Sequence, residues 1–100
     1  MIPSEEGHNK LVIDTASRLH QSYRYDTIEC FVGYKARGLD GEVDILARRG
    51  DVYHFYEIKC NYSHRNYAKA TSQFQRFIKT HPRLKVKGIY VSSQKVKRLH

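Results

Sequence analysis

Cysteine is nearly absent. Cys30 and Cys60 are too few and too far apart in 100 residues for a disulfide framework or a CxxC zinc site. They read as reduced, buried thiols on two strands, which points to a cytoplasmic, reducing setting. A run of about eighteen apolar residues is missing, and so is a signal-peptide core, so neither membrane spanning nor secretion is expected. Repeats, linkers and low-complexity segments are missing too. Residues 1–100 therefore read as one domain, with a modest core that is marginal without a partner. Acids are scarce: ten Asp and Glu stand against eighteen Lys and Arg, a net charge of +8. That excess on so small a body attracts polyanions, nucleic acid first, although a basic protein of no special affinity or a ribosome-associated fragment has the same balance.

The stretch present in place of these features is Gly41–Cys60. Val43, Ile45 and Leu46 enter as a strand, Arg49-Gly50-Asp51 turn the corner, and Val52 to Ile58 return through β-branched and aromatic residues. Three charges, Asp44, Glu57 and Lys59, interrupt this apolar hairpin. Glu57 and Lys59, two apart, share a face. A two-residue loop at Arg49-Gly50 or Gly50-Asp51 puts Asp44 on the same face, directly across from Glu57 or on its diagonal. Two carboxylates brought together in a half-buried sheet repel and are costly to desolvate, and a divalent cation would offset that cost. Hard oxygen donors with open positions suit Mg²⁺ or Mn²⁺, which can activate water toward a phosphodiester, with Lys59 orienting that water or stabilising the transition state.

Val43-Asp44 followed by Glu57-Ile58-Lys59 resembles the PD-(D/E)xK nuclease superfamily, in which an Asp, a loop and a (D/E)-x-K on the next strand form the site. The proline is replaced by Val43, as in many members, and Gly41-Glu42-Val43-Asp44-Ile45 is similar to a block of several branches. The resemblance implies metal ligands at Asp44, Glu57 and the Ile58 carbonyl, with Asp44, Glu57 and Lys59 catalytic. A further ligand from the first helix is implied as well: a Glu in junction-resolvase-like branches, a His in RecB-like ones. Glu5 and His8 offer either, while dipole compensation for Glu5 and a hydrogen-bonded half-buried role for His8 remain open.

The remaining chain supplies the frame. Residues 5–22 read as a helix, capped by Ser4 and with Leu11, Val12, Thr15, Ala16 and Leu19 as its apolar stripe; Glu5 and His8 project to the sheet side. Thr27 to Tyr34 alternates as a strand with one marked face. Lys35 to Gly41 reads as a loop whose Lys35 and Arg37 could follow a phosphate backbone. Residues 64–80 read as an amphipathic helix with Ser63 as its candidate cap, Arg65, Lys69 and Arg76 on its outer flank and Gln73 at the stripe's edge. Gln73-x3-Phe77 is similar to the Q-x3-Y element of RecB-type nucleases. Leu84 to Ser92 is the last strand, with a possible bulge at Gly88, and Gln94 to His100 is a basic tail.

The order α-β-β-β-α-β is an α/β arrangement, the restriction-endonuclease-like αβββαβ core with a mixed sheet flanked by helices. The expected function is a Mg²⁺- or Mn²⁺-dependent endonuclease on branched or otherwise structured DNA, resembling archaeal and viral Holliday-junction resolvases and acting as a homodimer. A RecB-like exonuclease or flap nuclease is the alternative enzyme. A non-catalytic, basic nucleic-acid-binding module is the other alternative. No base-reading element is evident, so binding should follow phosphate and DNA shape.

Overall fold

A computed structural model describes the backbone of residues 3–36 and 38–100, and the side chains of all of these except residues 3–5. Five strands form one mixed sheet in the order β1-β2-β3-β4-β5, comprising β1 (Thr27–Ala36), β2 (Leu39–Arg49), β3 (Val52–Ile58), β4 (Lys85–Val91) and β5 (Val96–Leu99). Only β3 and β4 run parallel, joined by the crossover helix α2 (His64–Thr80); the other neighbours are antiparallel. Helix α1 (Pro3–Gln21) packs on β1, β2 and β3, whereas α2 packs on β1, β4 and β5. The chain is thus an α/β protein with a five-stranded mixed sheet flanked by two helices.

The two apolar periodicities divide the core. On the α1 side Val12 meets Ile45, Ala47, Tyr56 and Ile58; on the α2 side Ala70, Phe74 and Phe77 meet Val43, Phe55, Tyr90 and Leu99. Pro3 opens α1, where its missing N–H costs nothing. Ser4 and Glu5 have side chains outside the described residues. Ser63 caps α2, accepting the Asn66 N–H at 2.9 Å. Arg49 pairs with Val52, so the β2–β3 loop is Gly50-Asp51, and Gly50 takes the positive φ (60°) that a type II′ hairpin turn needs.

Five expectations change. The segment Lys35 to Gly41 is largely strand: β1 runs to Ala36 and β2 starts at Leu39, with Lys35 opposite Asp40 and Ala36 opposite Leu39. Residues 94–100 are not a plain tail, since Val96–Leu99 add a fifth strand and Leu99 is buried under α2. Gly88 makes no bulge. It keeps register between Phe55 and Leu99, and a Cβ there would meet Leu99 at 2.7 Å and Phe74 at 2.9 Å, so close packing requires the glycine. Cys30 and Cys60 are exposed free thiols, not buried ones. Finally, β1 lacks a single marked face: Ile28 and Phe31 join the α1-side cluster, Val32 and Tyr34 the α2-side cluster.

That last change has a visible cause. Phe31 adopts a left-handed backbone (φ 55°), a conformation with real cost for a bulky residue. Cys30 still pairs with Ile45 and Val32 with Val43, but the intervening Phe31 and Asp44 drop out of the ladder. Val43 and Ile45, on either side of Asp44, consequently serve opposite cores. Both strands change face at one point, and Asp44 stands there.

Candidate metal centre

Asp44 is held at the place where β2 and β3 part. Their ladder ends at Ile45–Tyr56, and the same register carried one step further sets Asp44 opposite Glu57. Instead of a main-chain bond, the Asp44 Oδ2 accepts the Ile58 N–H at 2.8 Å. The expected convergence of carboxyl groups is present, and the register set by the Gly50-Asp51 loop produces it. Both acids are buried, Asp44 at 5% and Glu57 at 2% exposure.

Burial pushes the Glu57 carboxyl far up, to about 9, and the adjacent Asp44 carboxyl adds to the rise by charge and by a shared hydrogen bond. The Lys59 ammonium opposes the shift, and Glu42 supports it weakly. At neutral pH Glu57 therefore keeps its proton. Lys59 is half-buried, and its main-chain N–H is fixed on the Val91 carbonyl at 2.9 Å.

From the other layer, α1 delivers His8. Its Nε2 lies 2.9 Å from the Ile58 carbonyl oxygen and 3.3 Å from Asp44 Oδ2. A carbonyl can only accept, so Nε2 carries a hydrogen and donates. His8, Asp44 and the Ile58 carbonyl thus meet in one place, with Glu57 and Lys59 beside them. Glu5, the other helix candidate, has its side chain outside the described residues.

The donors fit a hard cation in kind. Two carboxyl groups and a main-chain carbonyl are oxygen ligands of the sort Mg²⁺ and Mn²⁺ take, and the strain that keeps Glu57 protonated is what a dication would relieve. Among the described residues no three His, Cys, Asp or Glu side chains form a ready cage, so the third oxygen must come from the backbone. For His8 to ligate through Nε2, its proton would have to move to Nδ1 and its present bonds would break.

The basic candidates lie elsewhere. Arg65, Lys69, Gln73 and Arg76 line a cleft of about 450 Å³ on the outer side of α2. Among the described residues the Gln73 Oε1 is buried without a partner, and the Gln73 main-chain carbonyl accepts the Tyr34 hydroxyl at 3.1 Å. Burial raises the Tyr34 pKa, the neighbouring Arg76 opposes the rise, and Glu57 adds to it weakly. The Tyr34 ring lies over Gly41, where a Cβ would clash with it. Lys35 is exposed in β1 and lies 3.8 Å from Asp40, another exposed group. Arg37 falls outside the described residues.

Sequence reading missed a second polar group, around Tyr25, His54 and Tyr56. Tyr25 Oη lies 2.5 Å from His54 Nδ1 and 2.6 Å from Tyr56 Oη. His54 and Tyr56, two apart on β3, gave a signal that alternation could have caught; Tyr25, in the connection between α1 and β1, gave none.

No family model matches the chain, and no curated protein matches it. Two crystallised proteins are similar in fold. AF1548, a protein of unknown function, superposes with a TM-score of 0.64 at 13% identity, over 85% of this chain and 46% of its own. SSO0001 does so with 0.62 at 14% identity, over 97% of this chain and 50% of its own. The chain spans about half the length of either. No helix among the described residues is long and apolar enough to cross a membrane.

Proposed function

We propose that the chain is a metal-dependent DNA endonuclease of the PD-(D/E)xK type, cutting branched or otherwise structured DNA as a homodimer in the cytoplasm. The observation that carries this reading is the burial of Asp44 and Glu57 side by side where β2 and β3 separate, with the Ile58 carbonyl and Lys59 adjoining. A fold has little use for a strained acid pair in that position unless something offsets the strain. The site also sits at the carboxyl end of β3, next to the parallel β4, where α/β sheets commonly bind ligands.

In this reading Asp44, Glu57 and the Ile58 carbonyl hold Mg²⁺ or Mn²⁺, which supplies Lewis acidity and a water of lowered pKa. Asp44 is kept in position by the Ile58 N–H and His8. Lys59 directs its ammonium at the water or at charge developing on the phosphate. The basic flank of α2, with Arg65, Lys69, Gln73 and Arg76, runs along the DNA backbone, and Lys35 adds to that contact.

His8 favours a second reading, a RecB-like exonuclease or flap nuclease, because it is a histidine that reaches Asp44 and the Ile58 carbonyl. Cleavage of a four-way junction against cleavage from a free end separates the two. The direct test replaces Asp44 with Ala, or Lys59 with Ala. Cutting in Mg²⁺ should disappear while DNA binding stays, and Ca²⁺ should support binding without turnover. Undiminished cutting by Asp44→Ala would remove the site assignment, and a wild-type protein that binds DNA without cutting would leave the basic binding module.

A further inference from the structure

The turn end of the β2–β3 hairpin carries a cleft of about 660 Å³ lined by Arg24, Tyr25, Arg49, Gly50, Val52 and His54. It lies away from the acid pair. His54 precedes Glu57 by three residues on β3, on the order of 10 Å along the strand, and the cleft extends further toward Val52.

The charge around this cleft is one-sided for a reason visible in its neighbours. Asp26 accepts the Gly50 N–H at 2.8 Å and lies 3.8 Å from Arg48, and Asp51 is bound to Lys85 at 2.9 Å. The nearby acids are thus engaged by other partners. Among the described residues neither Arg24 nor Arg49 meets a carboxylate, and both are exposed.

Hydrogen-bond counting then fixes the histidine. Tyr56 is buried, and among the described residues its hydroxyl meets no group but that of Tyr25, so its hydrogen is satisfied only by donating there. The Tyr25 hydrogen is then free to donate to His54 Nδ1. The imidazole stays neutral, since burial and the charges of Lys87 and Arg24 lower its pKa, and its hydrogen is left on Nε2. The relay Tyr56 to Tyr25 to His54 ends in a residue that lines the cleft together with two arginines.

We infer that the Arg24–Arg49–His54 cleft binds a phosphate group, with the two arginines as charged donors, His54 Nε2 as a neutral donor and Tyr25 as a positioning residue. Guanidinium groups match phosphate oxygens in geometry as well as in charge. A terminal phosphate on a strand or nucleotide and an internal phosphodiester present the same group. The assignment does not depend on the nuclease reading.

The test titrates ¹⁵N-labelled full-length protein with inorganic phosphate and follows the Gly50 amide, the Arg24 and Arg49 guanidinium signals and the His54 ring. These should move together, with His54 showing the Nε2–H tautomer. Arg24→Ala/Arg49→Ala should weaken phosphate binding at least tenfold, whereas Arg18→Ala/Arg83→Ala, which removes the same charge elsewhere, should leave it within twofold. Tyr25→Phe should abolish the tautomer preference of His54 without unfolding the protein. Competition by 5′-phosphorylated and 5′-hydroxyl oligonucleotides then names the source: preference for the former marks a terminal phosphate, and equal competition an internal one. Unmoved cleft signals, or equal weakening by the two double variants, would overturn the inference. A Glu57→Gln protein should bind phosphate here unchanged, so a failure of the nuclease reading is seen separately.

Discussion

Replacing Glu57 with Gln should make the metal-free protein more stable while removing its response to divalent cations. The folded-state pKa of Glu57 is raised from 4.5 to about 9, so the folded protein holds a proton that the unfolded chain releases. Its contribution is therefore most favourable below about pH 4.5 and is lost as pH rises toward 9, at about 1.4 kcal/mol per pH unit. At pH 7 the wild type has lost about 3 kcal/mol by this route, which for a domain of this size is on the order of 15 °C in Tm. Glutamine keeps the shape and does not titrate. Urea and thermal unfolding in EDTA from pH 7 to 9 should show wild-type stability falling and the variant's nearly level, so that the gap widens with pH. Titration of His54 in the opposite sense, its pKa being lowered on folding, adds stability as pH rises through 6.5 and leaves the range from 7 to 9 to Glu57. Adding Mn²⁺ should stabilise the wild type and not the variant. Level wild-type stability between pH 7 and 9, with no gain in Glu57→Gln, would refute the claim that the acid pair is strained.

Other expectations follow from the same structure. Binding of Mn²⁺ at pH 7 should release about one proton, from Glu57, and calorimetry in buffers of different ionisation enthalpy would expose a zero-proton event if the carboxyl is not a ligand. Gly88→Ala should destabilise by about 1–3 kcal/mol by forcing Leu99 and Phe74 apart. Gly7→Ala, exposed in α1 with nothing within 4 Å of its Cβ, should instead stabilise by about 0.5–1 kcal/mol, and denaturant midpoints compare the two. Neutralising Arg65, Lys69 and Arg76 together should flatten the salt dependence of DNA binding by a slope of about 2–3, and an unchanged slope would remove α2 from the DNA face.

What could be read from the sequence was what periodicity and turn chemistry encode. Helix α2 runs over the expected residues, Ser63 caps it, and Gly50-Asp51 turns the hairpin, because each rests on local rules that the tertiary structure leaves alone. Asp44, Glu57 and Lys59 were visible as charges placed against an apolar pattern, and His8 by its place on the sheet side of the first helix. Strand β5 was not, because Lys95, Lys97 and Arg98 mask a segment in which Leu99 alone is buried. The left-handed Phe31 was equally hidden: no glycine or asparagine marks it, and long-range packing on two sides imposes it. For that reason the meeting of the acids could be foreseen, while the change of face beside them could not.

The reversal at Phe31 and Asp44 makes the β1–β2 ribbon common property of both helices. Its near half is gripped by α1 and its far half by α2, and the joint between them is the carboxylate that His8 and Ile58 secure. Loosening either layer must therefore disturb that carboxylate, which ties the integrity of the whole body to the state of a single acid.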